Sequence, residues 1–317
     1  MDVIESVVEI NRPHLKFKTF QKYKSRIPLY IMLIPGLIFL VIFAYIPMVG
    51  ISIAFQNFNP AIGLFGQQIW CGFDNFIYLF QLPGTKQAIW NTVYISFMKI
   101  FFGTLIQIAV SIMINEVRSS FYKRYIQTII YLPFFLSWII LSGIFISMLS
   151  PTDGIINNTL QQLGIDKIFF LGDNKWFPTV LISTDIWKNF GFGTIIYLAT
   201  ITSIDPQLYE SASMDGATRW QKVRYITLPE MRMIIVLLAL LSLGNILNAG
   251  FDQVFNLYSP LVKQSGDILD TLVYRLGIVQ AQYGVAAAAG LFKSAVSLIL
   301  ISTSYYCAYK YADYKMF

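Results

Sequence analysis

Apolar residues along this chain fall into six long runs, at about 28–52, 90–114, 125–149, 177–202, 233–254 and 286–309, parted by polar and basic stretches. Each run is long enough for a bilayer-spanning helix, which needs about 20 mostly apolar residues. The first and third contain no Asp, Glu, Lys or Arg. The pattern predicts an all-α polytopic membrane protein with six transmembrane helices. A transmembrane β-barrel is excluded, because its strands alternate lipid-facing and lumen-facing residues in short segments. Composition agrees: 56% of the 317 residues are hydrophobic and 13% charged, and the mean hydropathy is +0.59.

The remaining charges orient the helices. Fifteen of the 23 Lys and Arg residues lie on one side of the six-span plan: six from Arg12 to Arg26, three from Arg118 to Arg124, four from Arg219 to Arg232, and Lys310 with Lys315. The other side holds Lys86, Lys167, Lys175, Lys263 and Arg275. Cytoplasmic loops carry the positive excess. Both termini and the loop 203–232 are therefore expected in the cytoplasm, with residues 1–27 a basic tail and 28–317 the transmembrane domain. The net charge of +6 then reflects topology and contact with anionic lipid. It does not point to nucleic acid, since the cations share no single face and no binding module is recognisable. The first apolar run follows about 27 polar and basic residues and has no small-residue cleavage site behind it, so it reads as a retained anchor. Leu15, Phe17 and Phe20 in the tail suit a short amphipathic helix, and the tail suits disorder equally well.

The inventory of reactive residues is sparse. His14 is the single histidine, which leaves no metal cluster or His-based triad. Cys71 and Cys307 fall on opposite sides of the predicted membrane and cannot pair within one chain. No G-x-x-x-x-G-K-[ST] phosphate cradle occurs. The chain is expected to be no enzyme and to hold no cofactor of its own; any ATPase is a separate chain.

The loop between spans four and five is unusually ordered by its sequence. In "SIDPQLYESASMDGA", Asp205 is placed as N-cap with Pro206 in the first turn, where a missing N–H is harmless. Gly216 is placed to end that helix with positive φ. Thr218 with Gln221 fits a capping box for a second short helix, and Thr227 with Glu230 fits another at the entry to span five, where Pro229 is tolerated in a first turn. Leu208, Tyr209 and Ala212 share one face of the first helix, and Trp220, Val223 and Ile226 one face of the second. The prediction is a small rigid knob.

This stretch resembles the signature E-A-A-x-x-D-G-A-x8-I-x-L-P of binding-protein-dependent ABC importer permeases. Glu210, Ala212, Asp215, Gly216, Ala217, Ile226, Leu228 and Pro229 match at the right spacing; Ser211 stands where Ala is usual, and Val223 where the family often has Phe. The likeness extends over about 27–314, through "WNTVYIS" at 90–96, "PTDGIINNTLQQLG" at 151–164 and "WKNFGFGTIIYLATITSIDPQLYESASMDGA" at 187–217. It is nearest to the carbohydrate branch that handles pectin or alginate fragments. The resemblance implies the type I importer fold in a bacterial cell membrane, a second homologous permease, two ATPase subunits that bind ATP and Mg, an extracytoplasmic solute-binding protein, and an oligosaccharide substrate. It also implies that the loop is a coupling helix, with Gly216 making the turn and Glu210 and Asp215 fixing it through hydrogen bonds.

Polar groups inside the spans need a reason, because a charge at a span centre costs about 2.5–3.5 kcal/mol. Asp185, Lys188 and Asn189 cluster in span four. Asn245, Asn248 and Asp252 follow at helical spacing in span five, and Lys99 and Lys293 lie in spans two and six. Lys188, Asn189, Asn245, Asn248 and Asp252 are the candidate substrate pathway. The same groups also suit internal salt bridges such as Asp252–Lys188, or snorkelling. Gly191, Gly193 and "VAAAAG" at 285–290 suit close helix packing. The aromatic outer segments 56–89 and 150–176, with Trp70 and Trp176, suit either a docking surface or an interfacial belt. Two other classes stay open at this level. A secondary transporter would show internal repeats, and none is evident; a structural membrane protein gives no reason for the signature.

Overall fold

Helices follow the apolar runs, and Pro133 and Gly250 mark two of the breaks between them. The structure, a computed structural model, describes residues 27–312. The expected tail features, His14, Leu15, Phe17 and Phe20, lie outside the described residues. The chain divides into two units after Ser52. The first is built on α1, Pro28–Phe55, an apolar helix of 28 residues. It is regular to Leu40, then passes through a π turn at Val41–Tyr45, where the Ile46 N–H reaches back to the Val41 carbonyl. Pro47 follows directly. Its ring would collide with the carbonyl four residues back, and the wider π turn relieves that.

The second unit is almost wholly helical. Its strands are two-residue segments, Gln56–Asn57 and Ile69–Trp70, paired antiparallel. Then come α2 Asp74–Gln81, α3 Thr85–Glu116, α4 Ser120–Tyr131, α5 Trp138–Met148, α6 Ile155–Gln162 and α7 Phe177–Thr202. After these come α8 Pro206–Met214, α9 Arg219–Leu243, α10 Phe251–Leu257, α11 Leu269–Tyr274 and α12 Tyr283–Ala312. With 32 residues, α3 is about 48 Å long at 1.5 Å per residue, more than a bilayer's hydrocarbon core.

Four helices, α1, α3, α9 and α12, are long and apolar enough to cross a membrane, and the bent pair α4–α5 makes a fifth candidate. The expected span four, α7, has 26 residues yet falls outside this set. It is packed against α3, α4 and α9, and its buried stripe includes Thr184, Lys188 and Thr194. A helix with one face against protein can carry polar residues on that face, so hydropathy alone does not single it out.

Three expectations are corrected by the backbone. The run 125–149 is not one helix: α4 and α5 meet at a 99° bend. Pro133 opens a 3-10 turn at Leu132–Phe135, and Ser137 starts a new helix by accepting the Ile140 N–H at 3.4 Å. The run 233–254 is not one helix either. Its helix starts fourteen residues earlier, at Arg219, and stops at Leu243; Gly250, at φ +90°, then opens α10. Third, Thr227 does not cap a separate helix with Glu230. It sits at φ −60°, ψ −53° in a π turn, Val223–Thr227, that carries the short helix straight into α9. The Leu228 N–H bonds to the Val223 carbonyl immediately before Pro229, the same accommodation used at Pro47.

Packing at glycine is close, as the small residues implied. A Cβ on Gly191 of α7 would lie 1.9 Å from the Ile130 carbonyl oxygen of α4, and one on Gly193 would lie 2.3 Å from the Gln107 side chain of α3. Ala288 and Ala289 are fully buried, and Ala289 packs with Ala88 and Leu269. Buried Asn157 holds the 149–168 segment, donating to the carbonyls of Leu149, Ser150 and Ile168 and accepting the Ile168 N–H at 2.8 Å. The two outer tryptophans diverge: Trp70 is exposed, while half-buried Trp176 packs edge-on against Phe170.

Candidate functional site

The knob between α7 and α9 is built almost entirely from backbone and short polar side chains. Asp205 caps α8 by accepting the Gln207 N–H at 2.9 Å, with Pro206 in the first turn. The helix ends at Gly216, φ +77°. There the Ala217 N–H reaches the Ala212 carbonyl at 2.9 Å and the Gly216 N–H the Ser213 carbonyl at 3.1 Å. That pair of bonds is the Schellman closure, which needs a residue at ease with positive φ. Thr218 and Gln221 form the predicted capping box: the Thr218 N–H donates to Gln221 Oε1 at 2.7 Å, and the Gln221 N–H donates to Thr218 Oγ1 at 3.3 Å. Two braces lock the halves together. Lys222 Nζ donates to Ser213 Oγ at 2.6 Å, and the Tyr209 and Thr227 hydroxyls bond at 2.9 Å.

The expected roles of Glu210 and Asp215 are corrected here. Both carboxylates are exposed, and neither makes a hydrogen bond to another described residue; Ser213, Gln221 and Lys222 pin the turn instead. The two acids face outward with their acceptors unspent. Leu208, Met214 (88% exposed) and Trp220 (69%) also project from the knob, whereas Ala212, Ala217, Ile226 and Leu228 are half-buried. The predicted faces hold for Tyr209 and Ala212 and for Val223 and Ile226, and they fail for Leu208 and Trp220. Pro229 is exposed beside the π turn.

A second constellation lies among α3, α7 and the break after α9. A cavity of about 360 Å³ is lined by Ser96, Lys99, Gln107, Asp185, Asn245 and Asn248, among others. Lys99 Nζ lies 3.4 Å from Asp185 Oδ1 and donates to the Ala249 carbonyl at 2.7 Å and to Gln253 Oε1. Gln253, fully buried, passes the network on to the Leu181 carbonyl at 2.7 Å and Thr184 Oγ1 at 2.8 Å. One buried cation is thereby balanced by one carboxylate. The side chains of Gln107, Ser242, Asn245 and Asn248 keep their donors and acceptors free of other described residues, and the buried Ser96 hydroxyl has no hydrogen-bond partner among the described residues.

Of the five residues expected along the pathway, Asn245 and Asn248 line this cavity; Lys188, Asn189 and Asp252 do not. Lys188 is buried, donates to the Phe134 carbonyl at 2.6 Å, and lies 5.3 Å from the Phe134 ring centroid and 5.8 Å from that of Trp138. It ties down the α4–α5 bend, where the lost helical pairing leaves a carbonyl for it. Phe192, four residues on, stacks on Phe134 at 4.0 Å. Asp252 is exposed in the first turn of α10, where the helix dipole favours it, and no Asp252–Lys188 bridge forms. Lys293 pairs with Asp270. Ser96, Gln107 and Gln253 were missed. A polar and small stripe at 96, 99, 103 and 107, three and four apart, marks this face of α3 in the sequence.

Between the break after α10 and the end of α11 a further ion pair forms, Arg275 with Asp267, at 2.6 Å. The hydrogen bonds that Arg275 donates to the Asp267 carboxylate push its guanidinium above its already high ordinary value.

Helices long and apolar enough to cross a membrane, a braced turn and a polar cavity fit a membrane transport subunit. Residues 99–317 match the family described as binding-protein-dependent transport system inner membrane component, and the chain belongs to that family. It is 40% identical over 289 residues to "Protein LplB" of Bacillus subtilis (strain 168), covering 91% of each chain. It is 39% identical over 293 residues to the "Polygalacturonan/rhamnogalacturonan transport system permease protein YteP" of the same organism, covering 92% of this chain and 89% of that one. Among solved structures it is similar to a chain in the crystal structure of a bacterial ABC transporter involved in the import of the acidic polysaccharide alginate. That match has a TM-score of 0.85 at 40% identity and covers 93% of this chain and 99% of the other. The crystal structure of bacterial alginate ABC transporter in complex with alginate pentasaccharide-bound periplasmic protein matches with a TM-score of 0.83, covering 91% and 96%. Family membership sets aside the secondary-transporter and structural readings, and the chain is a permease subunit rather than an enzyme.

Proposed function

We propose that this chain is one of two homologous membrane-spanning subunits of an ATP-driven oligosaccharide importer in a bacterial cell membrane. The apolar runs supply six spans, and the distribution of Lys and Arg puts both termini and the knob in the cytoplasm. Residues 1–27 form the tail and 28–317 the permease domain. Two ATPase subunits bind ATP and Mg, and a solute-binding protein delivers substrate from outside. The observation that carries this reading is the knob: Gly216 closes a Schellman turn inside the family signature, while Glu210, Asp215, Met214 and Trp220 are left exposed. Ala212, Ala217, Ile226, Leu228 and Pro229 shape the surface that seats in the ATPase. The relatives named for polygalacturonan/rhamnogalacturonan and for alginate support a polysaccharide-derived substrate. Purification of the tagged chain from native membrane tests the assembly. A second permease and an ATPase should co-purify, and a chain that transports alone would overturn it.

The cavity is proposed as part of the passage. Its free amides and hydroxyls offer both donors and acceptors, which is what a hydroxyl-rich sugar requires. Asn248→Ala should lower uptake in reconstituted vesicles several-fold, because each lost hydrogen bond contributes about 0.5–1.5 kcal/mol, while subunit assembly stays intact. Unchanged uptake across a series of oligosaccharides would make Asn248 a packing residue.

A further inference from the structure

A second cavity, of about 310 Å³, lies between the end of α3 and the knob. Glu116, the last residue of α3, lies two residues beyond the apolar run 90–114, so the α3 side of this hollow sits where lipid headgroups begin, and Arg219 meets it from the knob. Its rim carries three cations, Arg118, Arg219 and Lys222, against the single carboxylate of Glu116. Their hydrogen-bonding capacity is largely unspent. Arg118 has no partner among the described residues, Arg219 reaches Glu116 only at 3.9 Å, and Lys222 commits one N–H to Ser213. The hollow is apolar where Ile112, Ile201 and Val223 line it.

We infer that this hollow binds a phosphate-bearing anion, and that the apolar lining selects the headgroup of an anionic phospholipid. Guanidinium forks match phosphate oxygens in pairs, and basic pockets between helices at a membrane surface hold anionic headgroups. Arg118 belongs to the α3–α4 connection, whereas Arg219 and Lys222 belong to the knob. A bound phosphate therefore bridges two parts of the chain whose ion pair at this point is the long Arg219–Glu116 contact. The occupant stiffens the base of the knob and makes transport dependent on lipid charge, a property beyond the substrate and partner reading above.

The test uses the assembled transporter in nanodiscs of phosphatidylcholine, with or without phosphatidylglycerol. Wild type should retain phosphatidylglycerol through native mass spectrometry, and its ATPase rate should rise with that lipid. Arg118→Gln should weaken retention about five-fold, the contribution of one juxtamembrane cation, and flatten the lipid response. Lys123→Gln, which removes the same charge outside the hollow, should change neither. Displacement of the lipid by millimolar inorganic phosphate would keep the phosphate site and name free anion as its source. Equal retention by wild type and Arg118→Gln would overturn the inference. So would loss of the lipid whenever the ATPase is bound, since a side chain of the partner would then fill the hollow.

Discussion

Asp185→Ala should destabilise the bundle by about 3–5 kcal/mol, the cost of leaving a buried charge without its partner. Lys99 and Asp185 side chains are 9% and 21% exposed, and removal of the carboxylate strands the ammonium among α3, α7 and α10 with only neutral acceptors, Ala249 and Gln253. The double variant Lys99→Met with Asp185→Leu removes both charges and should recover most of the loss, since well-packed apolar replacements of an ion pair are often neutral. Thermal melting of the purified complex separates the cases. If single and double variants melt alike, the pair is not the strut that the geometry indicates.

Gly216→Val should leave the membrane helices inserted and abolish coupling. A Cβ at Gly216 would meet nothing within 4 Å, and the backbone there sits at φ +77°. The penalty is therefore conformational: roughly 1–2 kcal/mol for an ordinary L-residue in the left-handed region, and more for a β-branched one. That penalty is matched against a closure of two backbone bonds, so the turn reopens and Met214 and Trp220 leave their places. Gly216→Asn tolerates the same φ and should keep most of the function. The readout is ATPase pull-down together with substrate-stimulated hydrolysis. Wild-type behaviour from Gly216→Val, or equal failure of Val and Asn, would remove the turn from the coupling path.

The knob was legible in the sequence because its determinants are local. Asp205, Pro206, Gly216, Thr218 and Gln221 each act on residues within a few positions, and each behaves as read. Thr227 with Glu230 fits the same local rule and fails, because the π turn keeps the chain helical through Pro229. The cavity was half legible. Asn245 and Asn248 arrive by spacing, but the partners of Lys99 and Lys188 lie 54 to 154 residues away, and no period in the sequence reports such pairings. The bend at 132–137 was hidden for another reason: hydropathy measures the solvent a segment needs, and a bent apolar run needs the same solvent as a straight one.

The Lys188–Phe134 contact also bears on how the protein is made. The acceptor carbonyl is synthesised 54 residues before the ammonium that satisfies it, a delay of about 3–10 s at ribosomal rates of ~5–20 residues per second. During that interval the bent segment has left the ribosome with an unpaired carbonyl that lipid cannot accept. It must wait in a hydrated or chaperoned place until α7 emerges. Insertion is thus obliged to proceed out of order: α4 and α5 settle only with α7, and a chain truncated before residue 188 should be held at the insertion machinery.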